Sequence, residues 1–304
     1  MTSLYQMLSI SKQAHSKARI RKQGVETANQ QALNEAIEVR KTNPGMGCRS
    51  IYHAIGADLP MGRDRFESLL LENGFRVRFP RNYIRTTRSV KDRYFDNLIR
   101  GKTLTGLDQL WQSDIAYIFN NGRYYYLVFI IDVYSRRILG YQVHPHMMAS
   151  ANIKALKQAI AKRGKSSFPE LIHHSDRGSQ YTDKGYLNLL RQAGITPSMA
   201  KHCWENAYVE RVNGTIKNQY LRKMDINGFE QLKTRLKQAI YQYNHFKPHL
   251  SLPNKLTPVD YEKAIEKGAV APQPMTIYNP ELSTFKHLST KEKRTKKEKS
   301  HHHH

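Results

Sequence analysis

Leu171–Lys217, LIHHSDRGSQYTDKGYLNLLRQAGITPSMAKHCWENAYVERVNGTIK, decides the fold. It opens on a short apolar run, Leu171–Ile172, that stops at His173-His174-Ser175-Asp176-Arg177-Gly178. That pattern is a strand delivering a carboxylate to a sheet edge. Between Thr182 and Ala193, the residues Tyr186, Leu189, Leu190 and Ala193 recur at the spacing of an amphipathic helix, with Gly194 as its C-cap. Ile195–Met199 reads as a second short strand. Ala207, Val209, Val212 and Ile216 then predict a helix that carries Glu210. An acid on a strand end and an acid on a helix thus converge on one spot.

Upstream, Leu110–Phe119 is strand-like and holds Asp114 in an apolar and aromatic setting. Asn120-Asn121-Gly122 is a hairpin signal. Arg123–Val133 is a second strand, nearly continuous in apolar residues and therefore central. Arg137–Val143 is a third, and Ala149–Lys162 a helix with Ile153, Leu156, Ala159 and Ile160 on one face. Three meandering strands, then helix, strand, helix, strand and helix, make a mixed α/β sheet flanked by helices. That order is the ribonuclease-H-like arrangement.

The N-terminal part is helical. Residues 4–23 mix apolar and basic positions, with Ser9 or Ser11 as an N-cap. Residues 31–80 read as three helices: Leu33, Ala36, Ile37 and Arg40 outline the first, which ends at Asn43-Pro44-Gly45, and Met46–Ile55 and Met61–Glu72 follow. The last is led by Arg63 and Arg65, and a basic strip of Arg76, Arg78, Arg81, Arg85 and Arg88 comes next. A plain three-helix bundle would give the same periodicity. The strip favours a helix-turn-helix domain lying along a phosphate backbone. The expected organisation is a basic segment 1–30, a helix-turn-helix domain 31–82, a linker 83–109 with a helical turn at Tyr94–Leu98, a core 110–265 and a basic tail 266–304. Phe229–Tyr243 is an amphipathic helix inside that core, and Asn244–Pro258 an extended wrap. Ser300 and the four terminal histidines read as an expression tag.

Composition supports a polyanion partner. Lys and Arg number 49 against 25 Asp and Glu, a formal net charge of +24, which points to nucleic acid. Two cysteines far apart, Cys48 and Cys203, support neither a disulfide framework nor a Cys-rich zinc site. No apolar run approaches the ~18 residues of a membrane helix, and the start lacks a secretory apolar core. The expected compartment is the cytoplasm.

Three acids stand out: Asp114 on a strand, Asp176 at a strand end and Glu210 on a helix. Carboxylates ~4 Å apart repel by roughly 4 kcal/mol per pair at an effective dielectric near 20. They take up protons unless cations intervene. An all-oxygen site suits Mg²⁺ or Mn²⁺, whereas zinc asks for His or Cys. Spacing alone leaves Asp132, Asp183 and Glu205 as rivals, the first as a strand-end turn former and the others as helix-start caps.

Five segments, WQSDIAYI, IDVYSRRILGY, HHSDRGSQY, NAYVERVNGTIK and YNHFKPHLSLPNKLTPVDY, together resemble the integrase-like DDE transposases of bacterial insertion sequences, from about Asn43 to about Tyr261. The closest group splits its transposase over two reading frames, and this chain resembles the second-frame product. The resemblance implies a ribonuclease-H-like fold and a metal-binding catalytic triad of Asp114, Asp176 and Glu210. It implies two Mg²⁺ (or Mn²⁺) ions, Asp114 and Asp176 holding both and Glu210 one. Lys217 matches the basic residue that contacts terminal DNA, and His245, Lys247 and His249 fall near DNA. The implied activity is cutting transposon ends and joining the 3′-hydroxyl to a target phosphodiester. Implied partners are the terminal inverted repeats, target DNA, a dimer or tetramer of the chain, and a first-frame protein. The alternatives are a domesticated DNA-binding regulator without catalysis and a structure-selective nuclease. The chain departs from the pattern in having two residues fewer between Asp176 and Glu210, placed in the loop Lys201–Glu205. It also has Trp204 where a small or polar residue is usual, read as a half-buried packing residue or a platform for an unpaired base.

Overall fold

The structure, a computed structural model, describes residues 11–77 and 94–278. In chain order its helices and strands are α1 (Lys12–Thr42), α2 (Cys48–Ile55), α3 (Arg63–Glu72), β1 (Thr103–Leu104), β2 (Leu110–Asn120), β3 (Arg123–Asp132), β4 (Ile138–His144), α4 (Ala149–Arg163), β5 (Ile172–Ser175), α5 (Lys184–Gln192), β6 (Thr196–Met199), α6 (Ala207–Thr215), α7 (Phe229–His245), α8 (Pro258–Glu266) and β7 (Met275–Thr276). Residues 11–77 with 214–263 form one compact unit, and 94–213 with 264–278 the other. This differs from the expected core of 110–265. Residues 214–263 group with the N-terminal helices, where Tyr220 donates its hydroxyl proton to Asn43 at 2.8 Å and Asn43 donates to Gln242 at 3.2 Å.

In the first unit the Ser11 hydroxyl caps α1 by accepting from the Ala14 N–H at 3.0 Å. The helix then runs for 31 residues, without the expected division at residue 30, because no proline interrupts it. Ala32 and Ala36 face Met46, Ile51, Phe66 and Leu70 in a small apolar core, whereas Ile37 is exposed. Helices α2 and α3 form where the apolar pattern places them, joined by the 3₁₀ turn Gly56–Asp58. Gly56 enters that turn at φ 81°, a left-handed value that favours glycine.

The second unit is built on a five-stranded sheet of order β4-β3-β2-β5-β6. The β2–β3 and β3–β4 pairs are antiparallel, and β2–β5 and β5–β6 parallel. This mixed order is the ribonuclease-H-like arrangement. The β2–β3 hairpin closes on Asn121 and Gly122 at φ 47° and 78°, both left-handed as its tight turn requires. Helix α4 lays Ala155, Leu156 and Ala159 on the sheet against Val128, Ile130 and Leu139. Gly140 permits this: a Cβ there would run into the Ala155 carbonyl oxygen.

The expected helical turn at Tyr94–Leu98 does not form. Those residues have no regular secondary structure, because their backbone is held by β6: the Leu98 N–H donates to Ser198 Oγ at 3.0 Å and Ser198 Oγ donates to the Asp96 carbonyl at 3.1 Å. Met275–Thr276, in a region without periodicity, pairs with β1. No described helix is long and apolar enough to cross a membrane.

Candidate active site

The ladder between β2 and β5 ends on the parallel pair Ser113↔Ser175. Asp114 and Asp176 are the next residue on each strand, so two carboxylates sit side by side on chains about 4.8 Å apart. Asp114 continues in β2, paired with Phe129 of β3. Asp176 leaves the sheet, and its Oδ1 accepts from the Gly178 N–H at 3.1 Å.

Helix α6 brings the third acid. Asn206, just before it, donates from Nδ2 to the Ser113 carbonyl at 2.9 Å, and Asn213 donates from Nδ2 to Asp114 Oδ2 at 2.6 Å. Glu210 lies four residues after the first anchor and three before the second, on the same helix face. It is solvent-exposed in the first turn of α6. Two anchors on β2 thus bracket the acid and turn it toward Asp114.

The electrostatics record this convergence. Burial, then Asp176 and Glu210, push the Asp114 carboxyl up to about 7. Burial also raises Asp176. Partial desolvation beside the other acids, then the charge of Asp176, raises Glu210, although its side chain still reaches solvent. Behind the acids, Tyr181 shares a 2.9 Å hydrogen bond with Ser113 Oγ, and Tyr186 a 2.8 Å one with His173 Nε2. Burial raises both tyrosines, which stay as neutral phenols.

The rival acids are engaged elsewhere. Asp132 ends β3, accepts the N–H groups of Asp108 and Ser135, and pairs with Arg163. Asp183 caps α5 through the N–H groups of Gly185 and Tyr186. Glu205 accepts from Lys201 N–H and His202 N–H and pairs with Arg100 at 2.5 Å.

Among the described residues no three His, Cys, Asp or Glu side chains form a ready-made cation cage. The donors nonetheless fit a hard cation. They are three mutually repelling carboxylates, joined by the buried Asn213 Oδ1, which has no hydrogen-bond partner. Oxygen ligands alone suit Mg²⁺ or Mn²⁺.

Of the other residues singled out, Arg63, Arg65 and Arg76 are exposed on the first unit. Arg63 pairs with Asp64 at 2.8 Å, and Arg65 donates to Asn29 at 3.3 Å. Arg78 and Arg81 lie outside the described residues. Lys217 falls in a π-helical turn, Ile216–Tyr220, and the seven-residue spacing from Glu210 marks a shared face only on an uninterrupted α-helix. Trp204 is 47% exposed and stacks on His202 with centroids 4.2 Å apart, so one face of the indole packs on a neighbour and the rest is open to solvent. Asn206 and Asn213 were not singled out from sequence. The available signal was polar residues at four before and three after Glu210 on one helix face.

A ribonuclease-H-like sheet with two acids on adjacent strands and a third on the helix that follows β6 defines a class, the integrase-type cores. Residues 105–202 and residues 193–258 each match an integrase core domain. An insertion element IS600 31 kDa protein of Shigella sonnei is 32% identical over 199 residues, covering 64% of this chain and 72% of that protein. A putative transposase for insertion sequence element IS986/IS6110 of Mycobacterium tuberculosis is 38% identical over 120 residues, and there the match spans 38% of this chain and 43% of the relative's length. The HTLV-2 integrase catalytic core domain in complex with magnesium aligns at a TM-score of 0.42 with 21% identity, over 55% of this chain and 99% of that one. The chain belongs to the integrase-like transposases of bacterial insertion sequences.

Proposed function

We propose that the protein is a DNA transposase that binds the ends of its element, cleaves them and joins the 3′-hydroxyl to a target phosphodiester. The observation that carries this is the meeting of Asp114, Asp176 and Glu210, with Asp114 pushed to about 7 by burial and by the other two acids. A carboxylate held so far up its range is costly in the ionised form unless a cation is close.

Asp114 and Asp176 would hold two Mg²⁺ or Mn²⁺ ions and Glu210 one of them. Bound there, such ions activate the attacking oxygen and stabilise the leaving one. The chain's own part is positioning. Asn213 holds one oxygen of Asp114 and Gly178 one oxygen of Asp176. Helices α2 and α3, with Arg63, Arg65 and Arg76, would supply the end-binding surface, and the strip through Arg78 and Arg81 would extend it. Lys217 would contact terminal DNA. The net charge of +24 suits the phosphate backbone. Bringing two ends together asks for a dimer or tetramer, with a first-frame protein as a further partner.

The test is strand transfer on the element's own end DNA with Mg²⁺ or Mn²⁺, comparing wild type with Asp176→Asn. Joined products that vanish in the variant are expected. Cutting without joining would make the protein a nuclease, and tight binding with no chemistry, even with the first-frame protein added, a regulator.

A further inference from the structure

Gln112 is a fully buried carboxamide on the central strand, two residues before Asp114 and therefore on the same face of β2. Its Nε2 donates to the Glu205 carbonyl at 3.0 Å. Its Oε1 accepts from the Val209 N–H at 3.3 Å. These two backbone groups are four residues apart, the pair that an uninterrupted α-helix joins directly. Here the 3₁₀ turn Cys203–Asn206 gives way to α6 at Ala207, and the two groups lie on either side of that junction. The glutamine amide enters it, taking up a carbonyl on one side and an N–H on the other.

The consequence falls on the residue after Val209, which is Glu210. Burying an amide with both ends satisfied is tolerable, whereas losing it would leave a carbonyl and an N–H without partners in an apolar setting. An apolar side chain of the same length would fill the space without binding either group. With both groups left unsatisfied, the first turn of the helix would shift against β2 and open more readily. Asn206 and Asn213 tie the same helix to Ser113 and Asp114. Neither of them reaches the backbone of the turn immediately before Glu210.

We propose that Gln112 is a positioning residue that sets where Glu210 stands relative to Asp114, by completing the helical ladder at the start of α6. The proposal rests on the reading that these acids share one metal-dependent site. Groups hydrogen-bonded directly to metal ligands shift metal affinity and activity by about 10–100-fold when removed, and Gln112, acting one step further out through the helix backbone, belongs at the lower end of that range.

The test uses the full chain with Gln112→Met, which keeps the volume and loses both hydrogen bonds. A second variant, Gln112→Glu, keeps an acceptor for Val209 and loses the donor to Glu205. Three readouts are taken: amide hydrogen exchange, Mn²⁺ titration by electron paramagnetic resonance, and strand transfer with kcat separated from DNA affinity. Expected are faster exchange confined to the segment around Glu205–Asn213, Mn²⁺ binding at least ten-fold weaker, and a fall in kcat with DNA affinity unchanged. Gln112→Glu is expected to fall between wild type and Gln112→Met. Unchanged exchange in that segment, or unchanged Mn²⁺ affinity, would overturn the proposal. If wild type binds Mn²⁺ and joins no DNA, the transposase reading fails while the exchange and Mn²⁺ comparisons still decide on Gln112. If wild type binds no Mn²⁺, both fail.

Discussion

Asn213 on α6 donates from Nδ2 to Asp114 Oδ2 on β2 at 2.6 Å, a direct bond between the helix that carries one acid and the strand that carries another. A hydrogen bond to the ionised carboxylate favours that form. It therefore opposes the burial, Asp176 and Glu210 that push Asp114 up to about 7.

Asn213→Ala removes this restraint. The Asp114 carboxyl is expected to titrate higher than in wild type, by on the order of one unit, since a hydrogen bond to a charged group is worth ~1.5–3 kcal/mol. Carboxyl-carbon NMR titration of the metal-free protein checks it. Coincident curves would show that the bond does not bear on the charge state.

Asp114→Asn gives a pH-dependent stability difference. The folded-state value, about 7, lies above the ordinary 3.8, so this group's stabilising contribution is complete below pH ~4 and lost as pH rises through ~7. In chelator at pH 8 the variant is expected to be the more stable protein by ~2 kcal/mol, about half the full shift converted at 1.36 kcal/mol per unit. At pH 4 the two should melt together. Added Mn²⁺ should reverse the order at pH 8 by stabilising wild type alone. Parallel melting curves at every pH would contradict the burial of this charge.

His173 and His174 give the opposite slope. Burial, with His174 as a second cause, lowers His173 to about 3, and burial lowers His174 to about 4. Both lie below 6.5, so their contribution is complete above pH ~6.5 and lost as pH falls. Replacing His174 by Gln is expected to remove ~1.4 kcal/mol per pH unit of this acid sensitivity between pH 6 and 4.5. Melting temperatures of the two proteins across that range decide it. A difference independent of pH would mean His174 is not buried in its neutral form.

Gly140→Ala tests the seat of α4. The new Cβ would overlap the Ala155 carbonyl and stand 3.2 Å from the Ala159 Cβ. Overpacking of this kind costs ~1–3 kcal/mol. A drop of several degrees in melting temperature is expected, with an unchanged circular dichroism spectrum. Wild-type stability in the variant would mean that α4 lies farther from β4.

Arg63→Ala with Arg65→Ala probes the end-binding helix. The double variant is expected to weaken DNA binding across sequences and to flatten the salt dependence by up to about two phosphate contacts. Filter binding or anisotropy at several salt concentrations measures it. An unaltered salt slope would remove α3 from the DNA interface.

Local chemistry determined much of this protein. Alternation and apolar runs placed β2 to β6, Asn121-Gly122 the hairpin, and Leu232, Leu236 and Ile240 the inward face of α7, because each rests on contacts or dihedrals only a few residues apart. The motifs around Asp114, Asp176 and Glu210 were likewise visible in the linear chain. Their meeting was not. It depends on the Ser113↔Ser175 register and on Asn206 and Asn213 reaching β2, contacts between residues 62 to 99 positions apart. Local propensity also misread Tyr94–Leu98, whose backbone bonds go to β6 a hundred residues on. It likewise misread the boundary near 265, since the Asn43 side-chain amide donates a hydrogen bond to Gln242 Oε1 across 199 positions. The tertiary structure decided such pairings, because a hydrogen bond between distant segments leaves no periodic trace in either one.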